Sequence, residues 1–188
     1  MGLSAGAGVD AMDRLFFAAQ PDADASARIA ALTQSLQREL ALKGKAIPAE
    51  RRHLTLLFVG TFPALPDGLS QRLVEAANDV RCDAFELCLD RVTSFDRRPA
   101  NRPIVLLAPA EGPVARLHDA LATRLQAAGL PFEAHRPYRP HLTLLYDDQR
   151  VAARAVEPVA WTVREFLLMR SLVGRSAHVP LARWPLAA

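Results

Sequence analysis

HLTLL stands at residues 53–57, within RRHLTLLFVGTFP, and again at residues 141–145, within RPYRPHLTLLYD, in a chain of 188 residues. Successive side chains of a strand point to opposite faces, so His53 and Thr55 share one face and Leu54 and Leu56 the other. His141 with Thr143, and Leu142 with Leu144, divide likewise. Same-face neighbours begin about 6 to 7 Å apart, a span that lets an imidazole reach one oxygen of a tetrahedral phosphate while a hydroxyl reaches another. One strand supplies half a site. Two facing strands supply two imidazoles and two hydroxyls, the groups that metal-free phosphoryl transfer by acid–base catalysis requires.

Outward from each copy the same order of elements recurs. RLFFAA (Arg14–Ala19) reads as a buried strand, and Ile29, Leu32, Leu36 and Leu40 then repeat at helical spacing, with Ser26 as the expected N-cap and Gly44 as the stop. The first motif strand follows, over 52–59. A second helix is expected at Leu69–Ala77, strand segments at Phe85–Leu89 and Arg91–Phe95, and a loop over Asp96–Pro103. PIVLLA (Pro103–Ala108), a helix marked by Val114, Leu117, Leu121 and Leu125, a stop at Gly129 and the second motif strand repeat the pattern. Trp161–Arg170 reads as one last long strand, and the tail through Val179, Leu181 and Trp184 as an edge. Internal duplication is the economical account. The expected fold is α+β, a single bilobal domain over 1–188 whose lobes each carry an antiparallel sheet and helices around a groove, with roughly the first 12 residues as a flexible extension.

Half the residues are hydrophobic and a quarter charged, which excludes a largely disordered chain. The net charge of +3 and a pI near 9.3 lean toward an anionic ligand. No run of eighteen apolar residues occurs, so no membrane span is expected and the location is read as cytoplasmic. Cys82 and Cys88 have no metal-ligand spacing and are expected to be core thiols. His-x-Thr lacks a second strong metal ligand, and Asp147 and Asp148 accompany only one copy, so neither metal nor cofactor is expected. With no heptad pattern, a monomer is expected.

Either motif alone is better read as a strand histidine satisfied at a sheet surface; the repeat reverses that reading. Paired His-x-Thr-x strands resemble the 2H phosphoesterase superfamily. RLFFAA, RRHLTLLFVGTFP, RPYRPHLTLLYD and WTVREFLLMRS together resemble its RNA 2′,3′-cyclic phosphodiesterase branch, the 2′-5′ RNA ligase or LigT-like proteins. The resemblance implies a metal-free hydrolase that opens an RNA 2′,3′-cyclic phosphate end to a 2′-phosphomonoester. It implies His53 as proton donor, His141 as proton acceptor and Thr55 and Thr143 as phosphate-binding hydroxyls. The same geometry would serve reverse 2′-5′ ligation.

The residues themselves do not separate acid from base, since Arg51, Arg52 and Arg139 flank both copies with similar charge; these arginines are expected to depress the histidines and hold phosphate. Where the family often has an arginine after the second motif, this chain has Tyr146, Asp147 and Asp148, two acids expected near the groove, with Arg136 or Arg139 compensating. His178 stands where the family has an aromatic and is not read as a third catalytic histidine. Surface roles are expected for His118 and His135, and base stacking or packing for Phe95, Phe132, Tyr138 and Tyr146. A phosphodiesterase for small cyclic-phosphate nucleotides such as ADP-ribose cyclic phosphate, and a non-catalytic RNA-end binding module, are the competing readings.

Overall fold

The computed structural model describes residues 12–96, 100–133, 137–172 and 177–187. The expected N-terminal extension, His135 and Arg136 lie outside the described residues. In chain order the elements are β1 (Asp13–Ala19), α1 (Ala23–Glu39), β2 (Leu54–Phe62), α2 (Leu69–Ala77), β3 (Phe85–Ser94), β4 (Arg102–Leu107), α3 (Pro113–Ala127), β5 (His141–Asp147), β6 (Arg154–Val163), β7 (Glu165–Leu172) and β8 (Ala177–Pro185).

The eight strands form one antiparallel sheet in the order β6-β3-β4-β5-β2-β1-β7-β8. Its centre is thin: among the described residues β5 and β2 pair only through Leu142 and Leu54, the same position of the two motifs. About that pair the sheet falls into two matching halves, with β4 answering β1, β3 answering β7 and β6 answering β8. The helices cross over. α1, from the β1–β2 connection, packs on β6, and α3, from the β4–β5 connection, packs on β2 and α2. Each half is thus covered by a helix that the other half's strands deliver, and one apolar core runs through both.

Several sequence expectations need correction. α1 is capped by Asp22, whose Oδ1 accepts from the Ala25 N–H at 2.8 Å, and not by Ser26. A carboxylate there also faces the positive end of the helix dipole, an advantage serine lacks. Ser26 serves elsewhere, accepting from Arg52 through both its hydroxyl and its carbonyl. The helix ends at Glu39 with Ala41 at φ 51°, not at Gly44. Gly44 has another duty: a Cβ on it would lie 1.9 Å from the Tyr146 carbonyl oxygen, so only glycine lets this loop press against β5.

Trp161–Arg170 is two strands broken at Arg164, lying in opposite halves of the sheet. No glycine or proline marks the break, so periodicity ran across it. Phe85–Ser94, expected as two segments, is one strand with a register shift at Leu89–Arg91. Cys82 and Cys88 are half-buried and free, not core thiols. β8 is the expected edge strand.

Candidate active site

Strict alternation puts Leu57 and Leu145 on the face of the histidines, yet both are buried, at 1% and 0% exposure. The reason is a β-bulge at the same place in each copy. Against β1, Phe17 pairs with Leu57 and Ala18 with Thr55, leaving Leu56 as the extra residue; against β4, Ile104 pairs with Leu145 and Val105 with Thr143, leaving Leu144. A bulge lets two consecutive side chains face one way. Each copy therefore sinks three leucines into the core, about 1.5 to 3 kcal/mol apiece, while its histidine and threonine stay on the groove face.

Past the bulge the phase is reset. Tyr146 returns to the groove, 44% exposed, while Asp147 turns inward and is 5% exposed. Asp147 does not add charge to the groove: Oδ2 accepts the backbone N–H groups of Lys43 and Gly44 at 2.7 Å each, and Oδ1 that of Gln149 at 3.0 Å. Burial resists its ionisation, but those backbone donors prevail and hold its carboxyl below the usual range. Asp148 is exposed.

Both histidines are anchored alike. His53 precedes β2 and hydrogen-bonds through Nδ1 to the Arg51 carbonyl at 2.8 Å; His141 opens β5 and does the same with the Arg139 carbonyl at 2.7 Å. A carbonyl only accepts, so in the neutral rings the proton sits on Nδ1 and Nε2 carries the lone pair. Their surroundings differ. His53 stacks on Phe16 at 4.7 Å and meets His178 edge-on at 5.1 Å, whereas His141 meets the edge of Phe95 at 4.9 Å, with the Arg139 guanidinium 4.7 Å from that ring. Burial is the main reason the His53 pKa falls to about 4, against the Arg51 hydrogen bond that favours its charged form; His178, His141 and Arg51 lower it further. The arginines were expected to depress the histidines; the charge of Arg51 does lower His53, but burial is the larger cause.

His53, Thr55, His141 and Thr143 line one cavity of about 250 Å³, together with Arg14, Phe16, Ile47, Arg51, Phe58, Tyr146, Ser171 and His178. Among the described residues its lining includes two arginines and no carboxylate, a composition suited to an anion. Arg52 is not among them: it is buried, donating to Ile47 and Ser26. An adjoining cavity of about 490 Å³ shares Thr55, Phe58 and His141, and adds Phe95, Tyr138, Asp96 and Glu133. Among the described residues no cluster of three or more His, Cys, Asp or Glu is placed to hold a metal ion.

Arg14, Ser171 and His178 were not expected among the lining residues; the pairing of β1 with β2 and β7, and of β7 with β8, brings them there. His118 is not at the surface; it is buried, its Nδ1 hydrogen-bonds to the Leu56 carbonyl at 2.6 Å, and its ring lies flat on Tyr138 at 4.1 Å. Tyr138 in turn donates to the Thr55 carbonyl at 2.9 Å. Tyr138 is thereby a support for β2, and Phe132 packs against the core.

Residues 20–175 match the family model described as the 2′-5′ RNA ligase superfamily. The chain is 32% identical over 148 residues to the RNA 2′,3′-cyclic phosphodiesterase of Escherichia coli (strain K12), a match covering 76% of this chain and 80% of that relative. Escherichia coli LigT in its apo form superposes with a TM-score of 0.74 at 27% identity, over 95% of this chain and 99% of that one. LigT complexed with 3′-AMP does so at 0.72 and 26%, over 94% and 99%. The fold is also that of a Thermus thermophilus protein, at a TM-score of 0.73, 24% identity and coverage of 92% and 97%. Since the matched residues span both motif strands and both bulges, the chain belongs to the 2′-5′ RNA ligase superfamily.

Proposed function

We propose that this protein hydrolyses the 2′,3′-cyclic phosphate end of an RNA to a 2′-phosphomonoester, with His53 and His141 as its acid–base pair. The observation that carries this reading is the cavity, without a carboxylate among its described lining residues, in which two identically tethered imidazoles and two threonine hydroxyls converge. The activity of the Escherichia coli relative supports the substrate class, and the 3′-AMP bound by LigT supports a nucleotide beside the phosphate.

In the proposed step, His141 takes a proton from water as the water oxygen bonds to phosphorus. The P–O3′ bond breaks in line, and His53 gives its proton to the departing O3′. Thr55 and Thr143 donate to the non-bridging oxygens, whose charge grows as the phosphorane forms. With a pKa of about 4 in the free protein, His53 is neutral at pH 7. Its donor role therefore depends on the phosphate anion raising its proton affinity on binding. The larger adjoining cavity, with Phe95 and Tyr138 in its wall, is where the terminal nucleoside would lie.

The test is hydrolysis of an oligoribonucleotide 2′,3′-cyclic phosphate in the presence of EDTA. Single replacement of His53 or His141 by alanine is expected to lower kcat by on the order of 10²–10⁴-fold. A 3′-phosphate product, EDTA-sensitive turnover, or either variant within threefold of the parent would reject the mechanism. A parent that binds the oligonucleotide without turnover would leave the binding-module reading instead.

A further inference from the structure

His178 sits on β8 opposite Ser171 of β7, and both line the cavity of the motif histidines. Its ring packs edge-on against His53 at 5.1 Å and against Phe16 at 5.6 Å. Its Nδ1 is fully buried with no hydrogen-bond partner among the described residues. That single atom distinguishes it from His53 and His141, whose Nδ1 atoms are each tied to a carbonyl.

A neutral imidazole must carry its proton on one of its two nitrogens. A buried N–H without an acceptor forfeits a strong hydrogen bond, and such orphan donors are the rarest unsatisfied groups in folded proteins. With no carbonyl for Nδ1 to donate to, the proton belongs on Nε2, at the far side of the ring, where the cavity can supply an acceptor. Burial, and then the charge of Arg51, lower the ring's pKa from its ordinary value. A second donor without an acceptor lies in the same wall: Nε of Arg51, which can only donate, is also buried and unpartnered. Beside the histidines the other polar side chains of the lining are Arg14, Arg51, Thr55, Thr143, Tyr146 and Ser171, and among the described residues no acidic acceptor lines the cavity. The wall offers donors in surplus.

We propose that His178 is a neutral hydrogen-bond donor to a non-bridging phosphate oxygen, presenting Nε2–H in the tautomer opposite to that of His53. This rests on the phosphate-binding reading above and adds a contact to it. His53 and His141 exchange protons with the reacting atoms, while His178 keeps its own and supplies a fixed donor to the developing charge.

Nitrogen-15 and carbon-13 NMR of the histidine rings in the free protein at pH 7.5 separates the tautomers directly: Nε2–H is expected for His178 and Nδ1–H for His53. In the second arm His178→Phe keeps the ring packing and removes the donor, while His178→Gln restores an N–H. The Phe variant is expected to weaken inhibition by inorganic phosphate by about 10- to 100-fold, and the Gln variant to recover most of that loss. An Nδ1–H tautomer at His178, or unchanged phosphate affinity in the Phe variant, overturns the proposal. Should the Phe variant fail to fold, the tautomer measured on the parent decides alone. A parent that binds phosphate through His178 but does not open a cyclic phosphate rejects the enzymatic reading and leaves this contact standing.

Discussion

In β2 the bulge carbonyl of Leu56 accepts from the buried side chain of His118; in β5 the bulge carbonyl of Leu144 accepts from the backbone N–H of Ile47, at 2.7 Å. Six residues past each histidine, β2 has Val59 in the core, whereas β5 has Asp147 binding three backbone N–H groups. His53 lies between Phe16 and His178, and His141 beside Phe95. Two strands of identical motif and identical bulge have thus been built into different walls. A duplicated half-site yields two equal imidazoles, and acid–base catalysis needs two unequal ones. The inequality comes from the neighbours.

The largest effect that would break the comparison is one of role. On a phosphodiester whose leaving group needs no proton, such as p-nitrophenolate, the variant lacking the donor is expected to recover on the order of 10²-fold of its lost kcat, and the variant lacking the base to recover none. Rescue of His141→Ala and not of His53→Ala would exchange the two assignments.

The position after the bulge offers a second contrast. Val59→Ala is expected to cost about 1–3 kcal/mol at any pH through lost packing, and Asp147→Asn about 1.5–3 kcal/mol at pH 7 through weakened backbone hydrogen bonds. Only the second is pH-dependent. The Asp147 carboxyl is held below its unfolded value, so its contribution is present above about pH 4 and is lost as pH falls through the folded value. Urea unfolding at pH 7 and pH 3 should find the Asp147 penalty shrinking and the Val59 penalty constant; equal penalties for Asp147 at both pH values would reject its role as an ionised acceptor of those backbone N–H groups.

His118→Phe preserves the stack on Tyr138 and leaves the Leu56 carbonyl unpaired, with an expected cost of about 1–2 kcal/mol in urea unfolding. No loss would mean that the β2 bulge does not need its side-chain partner. The smallest effect is a titration. By NMR, free His53 is expected to give a midpoint near 4 that rises when inorganic phosphate binds. Folded His53 resists protonation while the unfolded imidazole titrates near 6.5, so its neutral burial contributes stability above that pH that is lost as pH falls toward 4. A midpoint at 6 or above would reject the burial of a neutral His53.

The residue pattern by itself determined the two motif strands, the helices between Asp22 and Gly129, and the set His53, Thr55, His141 and Thr143 that the fold brings to one cavity, because periodicity and a repeated pentapeptide are local signals. It also carried the family. Only the tertiary structure decided what depends on partners distant in sequence. The bulges at Leu56 and Leu144 arise from pairing with β1 and β4, and they alone explain why Leu57 is buried and why Asp147 faces inward and not into the groove. The break at Arg164 was invisible because a chain can change its place in a sheet at a residue that carries no turn signal. His118 reads as a surface residue of a helix, and His178, in the tail, has no role legible in the sequence. One became a prop for β2 and the other a wall of the cavity because the cross-over of α3 and the pairing of β8 with β7 carried them there, contacts that no local propensity encodes.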